Sequence, residues 1–284
     1  MAAPVTPPQT PSDLTESPRT LDRREGPYGE VVLRERAGSP GGPPVIHEII
    51  ANGCFLMDTS DGRSERLLVD AALNELPADR QRPAVLIGGL GVGFSLARAA
   101  EQPRWGRITV VEREAAVIDW HRTGPLSAIS AAALADPRSE ILHTDLVAHL
   151  RTPAGPHAQG APAGPHAHGA PADGASPDGT PRTDPTPDTG AGAAPVPYDA
   201  LCLDIDNGPD WTVTEDNNGL YSPAGLAACR DRLTPGGVLA VWSAQPSPAF
   251  EEALRNAGFQ GVRTEEIPVV RGVPDVVHLA RKGA

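Results

Sequence analysis

From residue 83 onward the chain alternates short apolar runs with stretches of helical period. The runs at 84–87 (AVLI), 107–111 (RITVV), 140–143 (EILH), 199–205 (DALCLDI) and 238–242 (VLAVW) are rich in β-branched and aliphatic residues. Such runs predict strands, several of them buried on both faces. Between them, 94–100, 114–121, 127–134, 146–150, 221–233 and 247–257 read as helices, the last ended by Gly258 in a C′ position. Strand and helix in alternation predict an α/β domain with a mostly parallel sheet covered on both faces. Two further runs, 262–267 and 276–280, predict a closing antiparallel pair.

Upstream, 30–36 and 45–58 are strand-like and are joined by the turn-forming cluster GSPGGPP at 38–44. They predict a small β unit at 27–62, ahead of a main domain at 63–284. A helix is expected over 65–76, with Leu68, Ala71, Ala72 and Leu76 at helical spacing and Asp61 and Ser64 placed to cap it.

Two stretches have no periodicity. Residues 1–26 are rich in Pro, Thr, Ser and charge, and are expected to form a disordered tail. Residues 152–197 repeat PAGPHAQGA, PAGPHAHGA and PADGASPDG with a nine-residue period. Without large apolar side chains such a repeat cannot offset its ordering entropy, so a disordered insertion is expected. The 32 prolines and 30 glycines of the 284-residue chain agree with part of it standing outside a compact core. His157, His166 and His168 lie in the repeat and read as residues of a solvated spacer. No metal site is expected.

The formal charge of −12 weighs against nucleic acid or an anionic membrane as a partner. Asp199, Asp204, Asp206, Asp210, Glu215 and Asp216 fall within 198–216, a stretch with no Lys or Arg, which predicts affinity for a cation. Cys54, Cys202 and Cys229 have no C-x-x-C spacing and fit buried free thiols in a reducing compartment. No signal-peptide pattern and no long apolar run is present, so a cytoplasmic location is expected.

The candidate chemistry centres on 83–112. A strand runs into Gly88, Gly89, Gly91 and Gly93, a helix follows, and the next strand ends on Glu112, about 20 residues past the glycines. Glycines at such a turn let the backbone approach a ligand, and an acid at that strand tip accepts hydrogen bonds from ribose hydroxyls. The turn lacks the G-x-x-x-x-G-K-[ST] lysine of a phosphate-cradling loop. Asp145 follows the strand at 140–143, where it can accept from an adenine amino group, cap the next helix, or both. Asp204 or Asp206, at the end of the strand at 199–205, faces the reacting end of an adenosine ligand. Asn207 and Tyr221 are candidate substrate contacts beside them. Trp211 and Tyr221 either face an amine chain or pack as ordinary amphipathic aromatics.

From about residue 28 to 280, outside the insertion, the chain resembles the spermidine synthase, or polyamine aminopropyltransferase, family. The resemblance is carried by LIGGLGVGFSLARAA, TVVERE, HTDLVAHL, DALCLDIDNGPD and GLYSPAGLAACRDRLTPGGVLAVWS. It implies the Rossmann-like S-adenosylmethionine methyltransferase fold preceded by a small β domain. It also implies Glu112 on ribose, Asp145 on adenine and Asp204 as the base that accepts the amine proton. The implied co-substrate is decarboxylated S-adenosylmethionine, with no permanently bound cofactor, the acceptor a polyamine such as putrescine, and the assembly a homodimer. Where the family's motif reads G-G-G-D-G-G this chain has Gly88-Gly89-Leu90-Gly91-Val92-Gly93, without the aspartate, and where it reads D-[ST]-x-D-P this chain has Asp204-Ile205-Asp206-Asn207-Gly208, so that the second acid has moved or become Asn207. Methyl transfer from intact S-adenosylmethionine, or a non-catalytic nucleoside-binding scaffold, are therefore the alternatives.

Overall fold

The computed structural model describes residues 17–152, 196–210, 217, 219–268 and 273–284. Two sheets form. The first is antiparallel, in the order β1 (Arg19–Gly26), β2 (Gly29–Ala37), β3 (Val45–Ala51), β4 (Cys54–Asp58). The second has seven strands. In sheet order these are β10 (Gln260–Ile267), β11 (Asp275–Arg281), β9 (Leu233–Ser243), β8 (Tyr198–Leu203), β5 (Ala84–Gly88), β6 (Arg107–Glu112) and β7 (Ser139–His143). β9, β8, β5, β6 and β7 pair in parallel, while β11 runs antiparallel to both β9 and β10. This is the mostly parallel α/β sheet, with its closing antiparallel pair, that the hydrophobic pattern predicts.

Alternation along each central strand divides the core. Val85, Ile87, Ala200, Cys202, Val238 and Ala240 face α1 (Arg63–Glu75), α2 (Phe94–Glu101), α3 (Ala115–Arg122) and α4 (Ser127–Leu134). Their neighbours Leu86, Leu201, Leu203, Leu239 and Val241 face α5 (Leu146–Arg151), α6 (Pro223–Arg232) and α7 (Pro248–Asn256). Both faces of the sheet are buried, which is why these strands read as unbroken apolar runs. Val31, Leu33 and Ile49 of the first sheet join the α1 side of the core, so that sheet lies against the main domain.

Several elements differ from expectation. Residues 19–26, placed in a tail by composition, form β1, an edge strand whose charged side chains stay exposed while its backbone pairs with β2. Residues 1–16 of that tail and 153–195 of the insertion lie outside the described residues, as does Trp211. The single strand expected at 45–58 is a hairpin. Asn52 and Gly53 sit at φ 51° and 78°, the left-handed pair that a two-residue type I′ turn requires. Neither Asp61 nor Ser64 caps α1: Gly62 occupies the N-cap, Ser64 Oγ donates to Asp275 Oδ2 at 2.7 Å, and Asp61 pairs with Arg63. α6 begins at Pro223, behind Ser222, whose hydroxyl accepts from Gly225 N at 3.1 Å. Cys202 and Cys229 are buried, but Cys54 is exposed beside the hairpin turn.

Candidate active site

The carboxyl ends of β5, β6, β7 and β8 open into one cleft, roofed by the first sheet and enclosing about 820 Å³, part of it open to solvent. Gly89, Gly91, Glu112, Asp145, Asp204 and Asp206, each singled out from sequence, all line it. A cleft at the carboxyl edge of an open sheet is where α/β folds bind ligands.

The glycine turn is tightly determined. Gly89 has φ 87°, and a Cβ there would lie 2.8 Å from the Asp204 carbonyl oxygen. Gly93 has φ 97°, and its Cβ would meet the His121 ring at 2.7 Å. Glycine is thus required by both torsion and space. His121, fully buried on α3, holds the turn from behind: its Nε2 donates to the Gly91 carbonyl at 2.9 Å and its Nδ1 lies 2.8 Å from Ser130 Oγ. A carbonyl only accepts, so Nε2 carries the proton. Burial lowers the His121 pKa, and the bond to Gly91 opposes that shift.

Glu112 is 9% exposed and fixed by main-chain donors. Leu90 N donates to Oε2 at 2.9 Å and Glu114 N to Oε1 at 2.8 Å. Burial raises its pKa, and the Glu114 and Leu90 amides oppose the rise. Each oxygen keeps a second lone pair, so the carboxylate is oriented and still able to accept from a diol. Asp145 does cap α5, accepting from Ala148 N at 2.8 Å, and it also lines the cleft.

Asp204 is placed by its backbone, whose amide donates to Gly88 O at 3.2 Å. Besides the cleft, it lines an adjoining recess with Glu65 of α1, Asn207, Trp242 and Asp275 of β11. Burial lifts the Asp204 carboxyl well above the usual range, and the charges of Glu65 and Asp275 lift it further. Glu65 is itself raised, mainly by burial. Asp206 adopts φ 55° and accepts from Asn217 Nδ2 at 2.8 Å, while Asn217 Oδ1 accepts from Arg113 at 3.3 Å. Tyr221 is not brought to the cleft. Its ring packs edge-on against Phe250 at 5.5 Å and its hydroxyl lies 3.5 Å from the Ile205 carbonyl, so it serves the α6–α7 side of the core.

Sequence reading missed Met57, Glu65, Arg113, Glu114, Asn217 and Asp275. Glu65 carried a faint signal as an acid in the first turn of a helix. Arg113 and Glu114 directly follow Glu112, Asn217 lies 11 residues past its partner Asp206, and Met57 and Asp275 reach the site through contacts distant in sequence.

A solved spermidine synthase in complex with the transition state analogue AdoDATO aligns with a TM-score of 0.64, at 17% identity, over 93% of this chain and 74% of that one. The chain has the spermidine synthase fold. Spermidine synthase from Thermotoga maritima aligns at 0.61 and 16% identity, covering 93% of this chain and 73% of its own. A probable spermidine synthase from Corynebacterium glutamicum aligns at 0.55 and 14%, covering 92% and 79%. No protein-family model and no curated protein sequence matches the chain. Among the described residues, the spermidine synthase fold here has no helix long and apolar enough to cross a membrane.

Proposed function

We propose that the protein is an aminopropyltransferase that moves the aminopropyl group of decarboxylated S-adenosylmethionine to an amine acceptor such as putrescine. The observation that carries this reading is the position of Asp204, shared between the cleft at the strand ends and the acid-lined recess. The fold shared with the AdoDATO-bound enzyme supports the same donor. In this reading Glu112 accepts from the ribose hydroxyls, Asp145 from the adenine amino group, and the sulfonium faces Asp204.

The acceptor arrives as an ammonium ion, which Asp204, Glu65 and Asp275 attract. One proton passes from it to the Asp204 carboxylate. The freed nitrogen lone pair attacks the methylene carbon bonded to sulfur, the carbon–sulfur bond breaks, and its electron pair leaves with neutral methylthioadenosine. A carboxylate with a raised pKa is a stronger base, which suits that proton transfer. The sulfonium is a good leaving group, so alignment in a desolvated cleft supplies much of the remaining acceleration.

The glycine turn, which lacks the aspartate of the family's motif, favours methyl transfer from intact S-adenosylmethionine as a second reading. Calorimetric binding of both donors, followed by a putrescine turnover assay, separates the two. Tighter binding of the decarboxylated donor with turnover is expected. Preference for the intact donor without turnover would replace this reading by methyl transfer, and binding of neither would leave a scaffold. The homodimer implied by the resemblance belongs to the same reading and is checked by sedimentation.

A further inference from the structure

A glycine turn leading into a helix ordinarily offers backbone amides to a phosphate. In this turn the amides of Gly89, Leu90, Val92 and Gly93 are already engaged. Gly89 N donates to Val111 O at 2.9 Å, Leu90 N to Glu112 Oε2 at 2.9 Å, and Gly93 N to Leu90 O at 2.9 Å. Val92 N donates to the thioether sulfur of Met57 at 3.1 Å. Met57 comes from β4 of the first sheet, and its sulfur occupies the space that a Cβ on Gly91 would need. Lys282, the only lysine of the chain, is committed elsewhere, donating to Leu233 O at 2.7 Å. The front of the turn is therefore covered by a neutral, polarizable side chain.

We infer that Met57 is a specificity-determining residue: it fills the front of the glycine turn and bars nucleosides that carry a 5′-phosphate, leaving those with an uncharged or cationic 5′ substituent. The inference rests on the nucleoside reading of the cleft. A phosphate entering there must displace the thioether to reach the Val92 amide. It also meets Glu112 and Glu114, with Arg113 between them already turned to Glu114 at 3.7 Å and to Asn217 Oδ1 at 3.3 Å. A methylthio or sulfonium substituent needs no anion-binding amide and packs against the Met57 sulfur.

The test is calorimetric titration of 5′-methylthioadenosine and of AMP into the full-length wild-type chain, Met57→Ala and Met57→Leu. In the wild type AMP is expected to bind at least about tenfold more weakly than methylthioadenosine. Met57→Leu keeps the bulk and is expected to keep that ratio. Met57→Ala opens the turn and frees the Val92 amide, and is expected to narrow the ratio by about tenfold, the scale of one hydrogen bond to a charged group. Met57→Val replaces alanine if that variant does not fold. Equal affinity for the two ligands in the wild type, or an unchanged ratio in the trimmed variant, overturns the inference. A wild type that binds neither ligand removes the nucleoside reading itself, and the inference with it.

Discussion

The main-chain amide of Leu90 donates to Glu112 Oε2 at 2.9 Å, tying the turn after β5 to the tip of β6. With Glu114 N on the other oxygen, both tips of the carboxylate face donors. Glu112→Gln keeps the shape but turns one tip into a donor opposed to an N–H. The expected cost is about 1–3 kcal/mol of stability, with nucleoside affinity lowered by at least about tenfold. Denaturant unfolding and calorimetry check both, and a variant with unaltered affinity would remove Glu112 from the ribose role.

Asp204 and Glu65 predict a shift along the pH axis. The base must be ionised, so kcat/KM is expected to rise with pH through the raised Asp204 pKa. Asp204→Asn is expected to abolish turnover and leave nucleoside binding nearly intact. Glu65 contributes negative charge that raises Asp204. Glu65→Gln removes that charge, so the acid limb of the profile should move to lower pH. A limb that stays in place, or moves up, counts against the pairing.

His121 predicts a pH-dependent difference in stability. Its folded-state pKa is lowered by burial, so its protonation opposes folding. The stability tied to neutral His121 is present above the unfolded value of about 6.5 and is lost as pH falls below it. His121→Phe cannot titrate there. Its deficit relative to wild type is expected to shrink between pH 7 and pH 5, read from unfolding curves of both proteins. At pH 8 the loosened Gly91 carbonyl is expected to cost about tenfold or more in nucleoside affinity.

Asn217, 8% exposed, holds Asp206 in a left-handed conformation. Asn217→Ala is expected to raise the acceptor KM several-fold while donor affinity stays within about twofold. A loss confined to donor binding would instead assign Asn217 to the nucleoside.

The sequence made β5, the glycine turn, α2 and β6 legible because their signals are local: an apolar run, glycines with positive φ, and an acid at a strand tip. Asp145 and Asp204 followed from the same rule applied to later strands. β1 was hidden because an edge strand with exposed charged side chains has the composition of a tail. The Asn52–Gly53 turn had a readable dipeptide, but apolar residues on both sides merged its two strands into one. Met57 and Asp275 carry no local sign of their roles: Met57 lies 35 residues from its partner Val92, and Asp275 lies 211 from Ser64. Tyr221 followed its neighbours into the predicted site, whereas packing against Phe250 took it into the core.

Thr152, at the end of α5, and Pro197, just before β8, both lie at the amino-terminal rim of the sheet. Arg232 Nη1 lies 3.4 Å from Thr152 O and Arg107 Nη2 3.5 Å from Pro197 O, so guanidinium groups mark both sides of the junction. Asp204 stands at the opposite end of β8, about 20 Å away at the rise of a strand. Chain length can be added or trimmed at that rim without displacing a single carboxylate of the cleft.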